Sequence, residues 1–152
     1  GAAVELLTVS VDTPAAAPAP RPWPFSGTRP SSDPPWSDIV YVLQGDGSRW
    51  YINGEVFPNI TIEQLALGST AIVELRNVSA TEHPFHLHGN VFEVLSRSGT
   101  PVSDLTLEDT VNVPIYGSVR VRLVADNPGD WMAHCHILPH AEGGMMTVLR
   151  VK

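Results

Sequence analysis

Six histidines packed into two short windows constrain this 152-residue chain more than any other feature of its sequence. The first window is His83-Pro84-Phe85-His86-Leu87-His88-Gly89. The second is His134-Cys135-His136-Ile137-Leu138-Pro139-His140, followed by Ala141-Glu142-Gly143-Gly144-Met145. The second window also holds the only cysteine, and no histidine stands elsewhere. Alternate side chains of a strand share a face, so His86 and His88 project together, as do His134 and His136. Cys135, between the latter two, points the other way. One short strand thus offers imidazoles to one side and a thiolate to the other, which suits two separate metal sites a few covalent bonds apart. A single cysteine forms no internal disulfide, so packing or metal must hold the fold.

The rest of the pattern is β. Strands read near 39–43, 50–56, 71–78, 85–95, 110–113, 119–124, 131–136 and 145–151. Turn signals separate them, among them Gly45-Asp46-Gly47, Asn53-Gly54, Gly68-Ser69, Ser98-Gly99 and Asn127-Pro128-Gly129. Residues 64–67 read as a short helical turn, and no segment carries a long 3.6-residue period. Short strands at regular spacing over about 115 residues predict an all-β Greek-key sandwich. A different regime precedes it. Residues 4–11 read as an edge strand, and eight of the fourteen prolines lie between Pro14 and Pro35. Proline fixes φ and removes an N–H, so this stretch is expected as an extended strap, pressed onto a surface by Trp23, Phe25 and Trp36. The expected division is 1–37 for edge strand and strap, and 38–152 for the sandwich. No run of 18 uncharged apolar residues exists to span a membrane as a helix. The net charge is −7 and no basic cluster is present, which argues against nucleic acid as a partner.

On the thiolate side, His140 and Met145 follow Cys135 at C-x4-H-x4-M, a spacing that a loop can fold around one ion. His83 lies outside the His86/His88 alternation and precedes a proline that holds its backbone extended, so it can be aimed separately. Two imidazoles, a thiolate and a weak thioether make the trigonal set with a long axial Met that marks blue copper. Zinc prefers a fourth strong ligand, and a zinc or purely structural role is the alternative reading. The pairs His86/His88 and His134/His136 supply only half of a closed site. Without a partner they are solvent-facing imidazoles.

The strings HPFHLHG and HCHILPHAEGGM, with DTVNVP and NPGDWMAHCH between them, resemble the C-terminal copper motifs of the multicopper oxidases, the laccase-like enzymes. The resemblance covers roughly residues 50–152 and implies a cupredoxin fold, the third domain of a three-domain oxidoreductase. It implies that His83, Cys135, His140 and an axial Met145 bind type 1 copper. His86 would bind type 2 copper, and His88, His134 and His136 the type 3 pair, with no catalytic residue beyond these ligands. In the parent enzyme, electrons from a small-molecule or metal-ion donor would pass through Cys135 and its flanking histidines to a trinuclear cluster that reduces dioxygen to water. Two positions depart from the pattern: Asn90 replaces a frequent histidine, and Glu108 stands where a basic residue is common. The family also takes two further H-x-H motifs from its first domain, and this chain has none. It therefore reads as an isolated domain holding one type 1 copper and competent for electron transfer. Type 2 and type 3 copper would bind only with ligands from the remaining domains or a second copy of the chain. The alternatives are an apo structural domain without copper, and a homo-oligomer assembling a cluster from paired H-x-H motifs. Family membership implies export to the periplasm or the cell exterior. Trp50, Trp131 and Met146 read as core, Glu142 as a solvated loop carboxylate, and Asp104, Glu108 and Asp109 receive no acid–base role.

Overall fold

The computed structural model describes residues 36–105 and 107–152. The edge strand and the strap expected at 4–11 and 14–35 lie outside these residues. Trp36, expected to press the strap onto a surface, is instead 65% exposed, and its carbonyl accepts a hydrogen bond from Arg120 at 2.8 Å.

Two sheets form an all-β sandwich. The first contains β1 (Ile39–Gly45), β2 (Trp50–Ile52), β4 (Thr70–Asn77), β6 (Phe92–Arg97), β7 (Thr100–Pro101), β8 (Leu107–Glu108) and β10 (Ser118–Val124). The second contains β3 (Glu63–Leu65), β5 (His83–Leu87), β9 (Thr110–Val113), β11 (Gly129–Cys135) and β12 (Met146–Val151). A short helix, α1 (Leu138–Glu142), leads from β11 towards β12. The first sheet runs β2-β1-β4-β10-β6-β7, with β8 also on β6; the second runs β3-β12-β11-β5-β9. β1 with β4 and β3 with β12 are parallel, and the other pairs are antiparallel.

The period-2 pattern explains the core. On β10, Val119, Val121 and Leu123 are buried while Arg120 and Arg122 take the other face, and Leu43, Leu75 and Val94 join them from the same sheet. Phe85, Val113 and Leu149 meet them from the opposite sheet, and the rings of Tyr41 and Phe85 sit 5.8 Å apart across the interface. Each such side chain contributes about 1.5–3 kcal/mol when fully buried. These contacts give the second sheet a fixed inner face, and that face carries Cys135.

Besides the short β7, β8 and α1, which the sequence reading did not contain, three elements differ from it. The single strand expected at 85–95 is two strands in different sheets, β5 and β6. The chain breaks at Gly89, whose φ of +64° is a left-handed value, and an added Cβ there would run into the indole of Trp131. That indole donates to the Asn127 carbonyl at 2.8 Å, and the Asn127 amide donates to the Gly89 carbonyl at 2.6 Å, tying the crossover down. The apolar alternation sits on odd positions at Phe85 and Leu87 and on even ones at Phe92 and Val94, so its phase slips where the chain changes sheet. Residues 63–65 form a strand, where a helical turn was expected over 64–67, because pairing with β12 outweighs local helix preference. The strand expected to run to residue 56 ends at Ile52, where Asn53 (φ 55°) and Gly54 (φ 77°) make a two-residue turn.

Candidate metal centre

The register between β5 and β11 places the two histidine windows side by side. Cys135 lies opposite Phe85, His134 opposite His86, and Ala133 opposite Leu87. Opposed residues of an antiparallel pair share a face, so Cys135 turns inward with Phe85 while His134 turns outward with His86. β5 begins with His83 and β11 ends on Cys135, which brings both to one end of the sandwich. The chain then folds back through α1, where Pro139 in the first turn suits the fixed φ of a helix start. This turn carries His140 to the same place. Five residues are too few to show a helical period, which is why the sequence reads only as a loop.

The result is a preformed triangle. Cys135 Sγ lies 3.7 Å from His83 Nδ1 and 3.7 Å from His140 Nδ1, and the two nitrogens are 3.2 Å apart. Its centre lies about 2 Å from each atom, the length of an ordinary metal–nitrogen bond. His83, Cys135 and Met145 are fully buried and His140 is 8% exposed. Among the described residues this is the only group of three His, Cys, Asp or Glu side chains whose ligand atoms all lie within 4.8 Å of one another. Met145 is tied to both neighbours through its backbone. Its N–H donates to the His140 carbonyl at 3.0 Å, and its carbonyl accepts from the Cys135 N–H at 3.2 Å.

Burial sets the charge state of this pocket. It pushes the His83 pKa down to about 4, with the neighbouring His140 adding to the effect, and it lowers His140 as well. Burial also raises the Cys135 thiol, against a smaller opposing hydrogen bond from the Ile137 N–H at 3.4 Å. Neutral imidazoles are ready to coordinate, and an arriving cation has one proton to displace, that of the thiol. Two imidazoles and a sulfur without a carboxylate form a soft donor set, which copper suits better than calcium or magnesium.

Two supports escaped the sequence reading. The indole of Trp50 stacks on the His140 ring, with centroids 3.5 Å apart and 22° between planes, and meets His83 edge-on at 5.6 Å. Trp50 is thus a wall of the site as well as core, and a side chain at Gly45 or Gly143 would collide with it. Ser79 Oγ lies 2.8 Å from His83 Nε2, on the side of the ring away from the triangle. The Trp50 stack joins residues distant in sequence, and Ser79, although only four residues before His83, sits in a bend whose shape no period in the sequence announces. Met146, expected to pack inward, is only half-buried; Met145 and Thr147 flank it with their side chains fully covered.

The outward face is different. His86, His88, His134 and His136 gather there, with His134 and His136 stacked at 5.2 Å and His86 4.9 Å from His136. The carbonyl of Asp109 lies 2.9 Å from His86 Nδ1, and that of Cys135 lies 2.9 Å from His134 Nδ1. Carbonyls only accept, so both rings carry a proton on Nδ1 and leave Nε2 as the nitrogen turned outward. His88 Nε2 approaches His134 Nε2 at 2.9 Å, and burial followed by the surrounding imidazoles lowers the His88 pKa. Glu108 pairs with Arg97 at 2.7 Å, which gives the acidic residue at that position a local partner. Glu142 is exposed, and Trp131 packs half-buried at the core margin.

Comparison with known proteins agrees with this geometry. A family model described as multicopper oxidase matches residues 28–152. The chain belongs to the multicopper oxidase family. Multicopper oxidase MmcO of Mycobacterium tuberculosis is 36% identical over 117 residues, covering 76% of this chain and 23% of the relative. The crystal structure of McoA multicopper oxidase from the hyperthermophile Aquifex aeolicus superposes with a TM-score of 0.67 at 32% identity, over 76% of this chain and 29% of that one. A multi-copper oxidase structure from Pediococcus acidilactici reaches a TM-score of 0.72 at 27% identity, over 86% of this chain and 29% of that one. The fold is therefore cupredoxin-like, and the family implies copper. The chain spans less than a third of the length of these relatives.

Proposed function

We propose that this chain is the C-terminal cupredoxin domain of a laccase-like multicopper oxidase, with a type 1 copper held by His83, Cys135 and His140 and weakly by the Met145 thioether. The observation that carries this reading is the triangle of one sulfur and two nitrogens, buried and already at bonding size. A copper ion bound there supplies one-electron redox chemistry at a site whose shape the protein dictates. The chain's own part is to keep water out, hold both imidazoles neutral and restrain the ligands, so that little rearrangement accompanies a change of charge. Cys135 is also bonded through the backbone to His134 and His136, and its carbonyl accepts the His134 Nδ1–H at 2.9 Å. That gives a short connection between the buried sulfur and the outward imidazoles. His86 as a type 2 ligand and His88, His134 and His136 as type 3 ligands form half of a trinuclear site, the other half coming from the remaining domains. The whole enzyme then passes electrons from a small-molecule or metal-ion donor to dioxygen. We place it outside the cytoplasm, in keeping with its family; no helix among the described residues is long and apolar enough to cross a membrane.

Copper titration of the purified chain tests the reading. One tightly held copper with an intense visible absorption band is expected. A chain that takes up no copper, or a band that survives Cys135→Ser, overturns it.

A further inference from the structure

We propose that Ser79 is a positioning residue that locks the His83 ring with its proton on Nε2, so that Nδ1 faces the triangle with a free lone pair. The inference rests on the reading of His83 as a metal ligand and adds the residue that prepares it.

The proton count around Asn77 leads there. The Asn77 amide nitrogen sits among three backbone carbonyls, those of Thr81 at 2.7 Å, Pro114 at 3.0 Å and Val113 at 3.4 Å. Three acceptors around one atom make it the NH2 end, so Oδ1 is the other end and only accepts. Oδ1 takes the Ser79 N–H at 2.8 Å and faces Ser79 Oγ at 2.8 Å. The Thr81 carbonyl, 3.1 Å from the same hydroxyl, likewise only accepts. Ser79 owns one hydroxyl proton, and two acceptor-only oxygens compete for it. Its lone pairs face the Thr81 N–H, a long contact at 3.4 Å, and His83 Nε2 at 2.8 Å, which is then the protonated nitrogen; the Thr81 hydroxyl stands further off than that ring, at 3.3 Å. Asn77 and Ser79 are both buried, 1% and 4% exposed, so water is poorly placed to substitute for either contact. A buried hydrogen bond that loses its partner costs enough to set a tautomer that is otherwise nearly balanced.

The His140 ring is held instead by stacking on Trp50. The two imidazoles are therefore positioned by different means, one by a hydrogen bond that also selects a tautomer, the other by packing. A hydroxyl accepting from Nε2–H increases the electron density of the ring, which strengthens the ligand towards the more highly charged copper state.

The test has a metal-free arm and a copper arm. Long-range nitrogen–proton correlation spectra of the 15N-labelled, metal-free chain should show His83 as a single Nε2–H tautomer. Ser79→Ala should turn it into a mixture, and Ser79→Thr, which keeps the hydroxyl, should restore it. Ser79→Ala keeps the Ser79 backbone N–H on Asn77, so the loop retains that anchor. In copper-loaded chains, Ser79→Ala should weaken the Cu(II) form about tenfold relative to Cu(I), an upward shift of about 59 mV for one electron. A wild-type spectrum showing Nδ1–H or a mixture overturns the proposal, as does an Ala variant with unchanged tautomer. A chain that never develops the copper band refutes the proposed function instead, and the metal-free spectra still decide the role of Ser79.

Discussion

The two faces of β5 and β11 carry ligand-type side chains on neighbouring residues, Cys135 inward and His134 outward, yet only one face is closed. Inward, His83 and Cys135 sit with His140 in a buried triangle walled by Trp50 and fastened by Ser79. Outward, four imidazoles cluster, but among the described residues they present no three ligand atoms mutually within 4.8 Å. The inward site draws its parts from β5, β11 and α1 of one chain and keeps water away. The outward site has parts from two neighbouring strands alone and remains open. A metal site thus needs more than ligand types at suitable spacing. It needs a third direction of approach and a shell that removes solvent, and a pair of strands alone supplies neither.

The sharpest way to break this contrast is Cys135→Ser. Loss of the intense visible band is expected to be complete, with the strand content in circular dichroism retained, because the oxygen occupies less space in the same pocket. Trp50→Ala comes next. Removing a buried indole should cost about 3–5 kcal/mol in denaturant unfolding, and the freed His140 ring should weaken copper retention. Unaltered copper affinity in that variant would mean that the stack is only core packing. On the outward face, a His88→Gln, His136→Gln double variant should leave both the band and the single tight copper unchanged. If the band vanished, the two faces would not be independent.

Smaller effects sharpen the picture. Met145→Leu should raise the copper potential in voltammetry while costing under about 1.5 kcal/mol in stability, since the volumes are similar. An unchanged or lower potential would count against an axial thioether. Finally, the metal-free chain should lose stability on acidification. The folded His83 pKa is near 4, below its ordinary value of 6.5, so below pH 6.5 the unfolded chain binds the proton and the folded one does not. This contribution is fully present above pH 6.5 and falls away towards pH 4, with a slope of at most about 1.4 kcal/mol per pH unit for one proton. His83→Gln should flatten that part of the profile, and a profile that keeps its slope would argue that His83 is more solvated than its burial indicates.

Much of this is legible in the sequence alone. The alternation of β10, the turn signals and the absence of helical period together specify an all-β sandwich, since each reports on one residue and its near neighbours. The division of Cys135 from His134 and His136 follows for the same reason. What escaped were the features made by distant pairs. The change of sheet at Gly89 depends on Trp131, more than forty residues away, and the strand at residues 63–65 exists because β12 lies beside it. Met146, read as core, is half-buried because Met145, ahead of the strand, occupies the inward position at this end of the sandwich.

By itself the sequence determined the donors and their sides: a strand repeats every two residues, so a cysteine between histidines cannot share their face. Whether the donors meet is a long-range matter. The pairing of β5 with β11, the fold-back through α1 and the burial of all four side chains bring His83 Nδ1 and His140 Nδ1 to 3.7 Å from Cys135 Sγ. His83 and Cys135, 52 positions apart in the chain, meet because β5 and β11 pair within one sheet, a long-range pairing that no local pattern encodes.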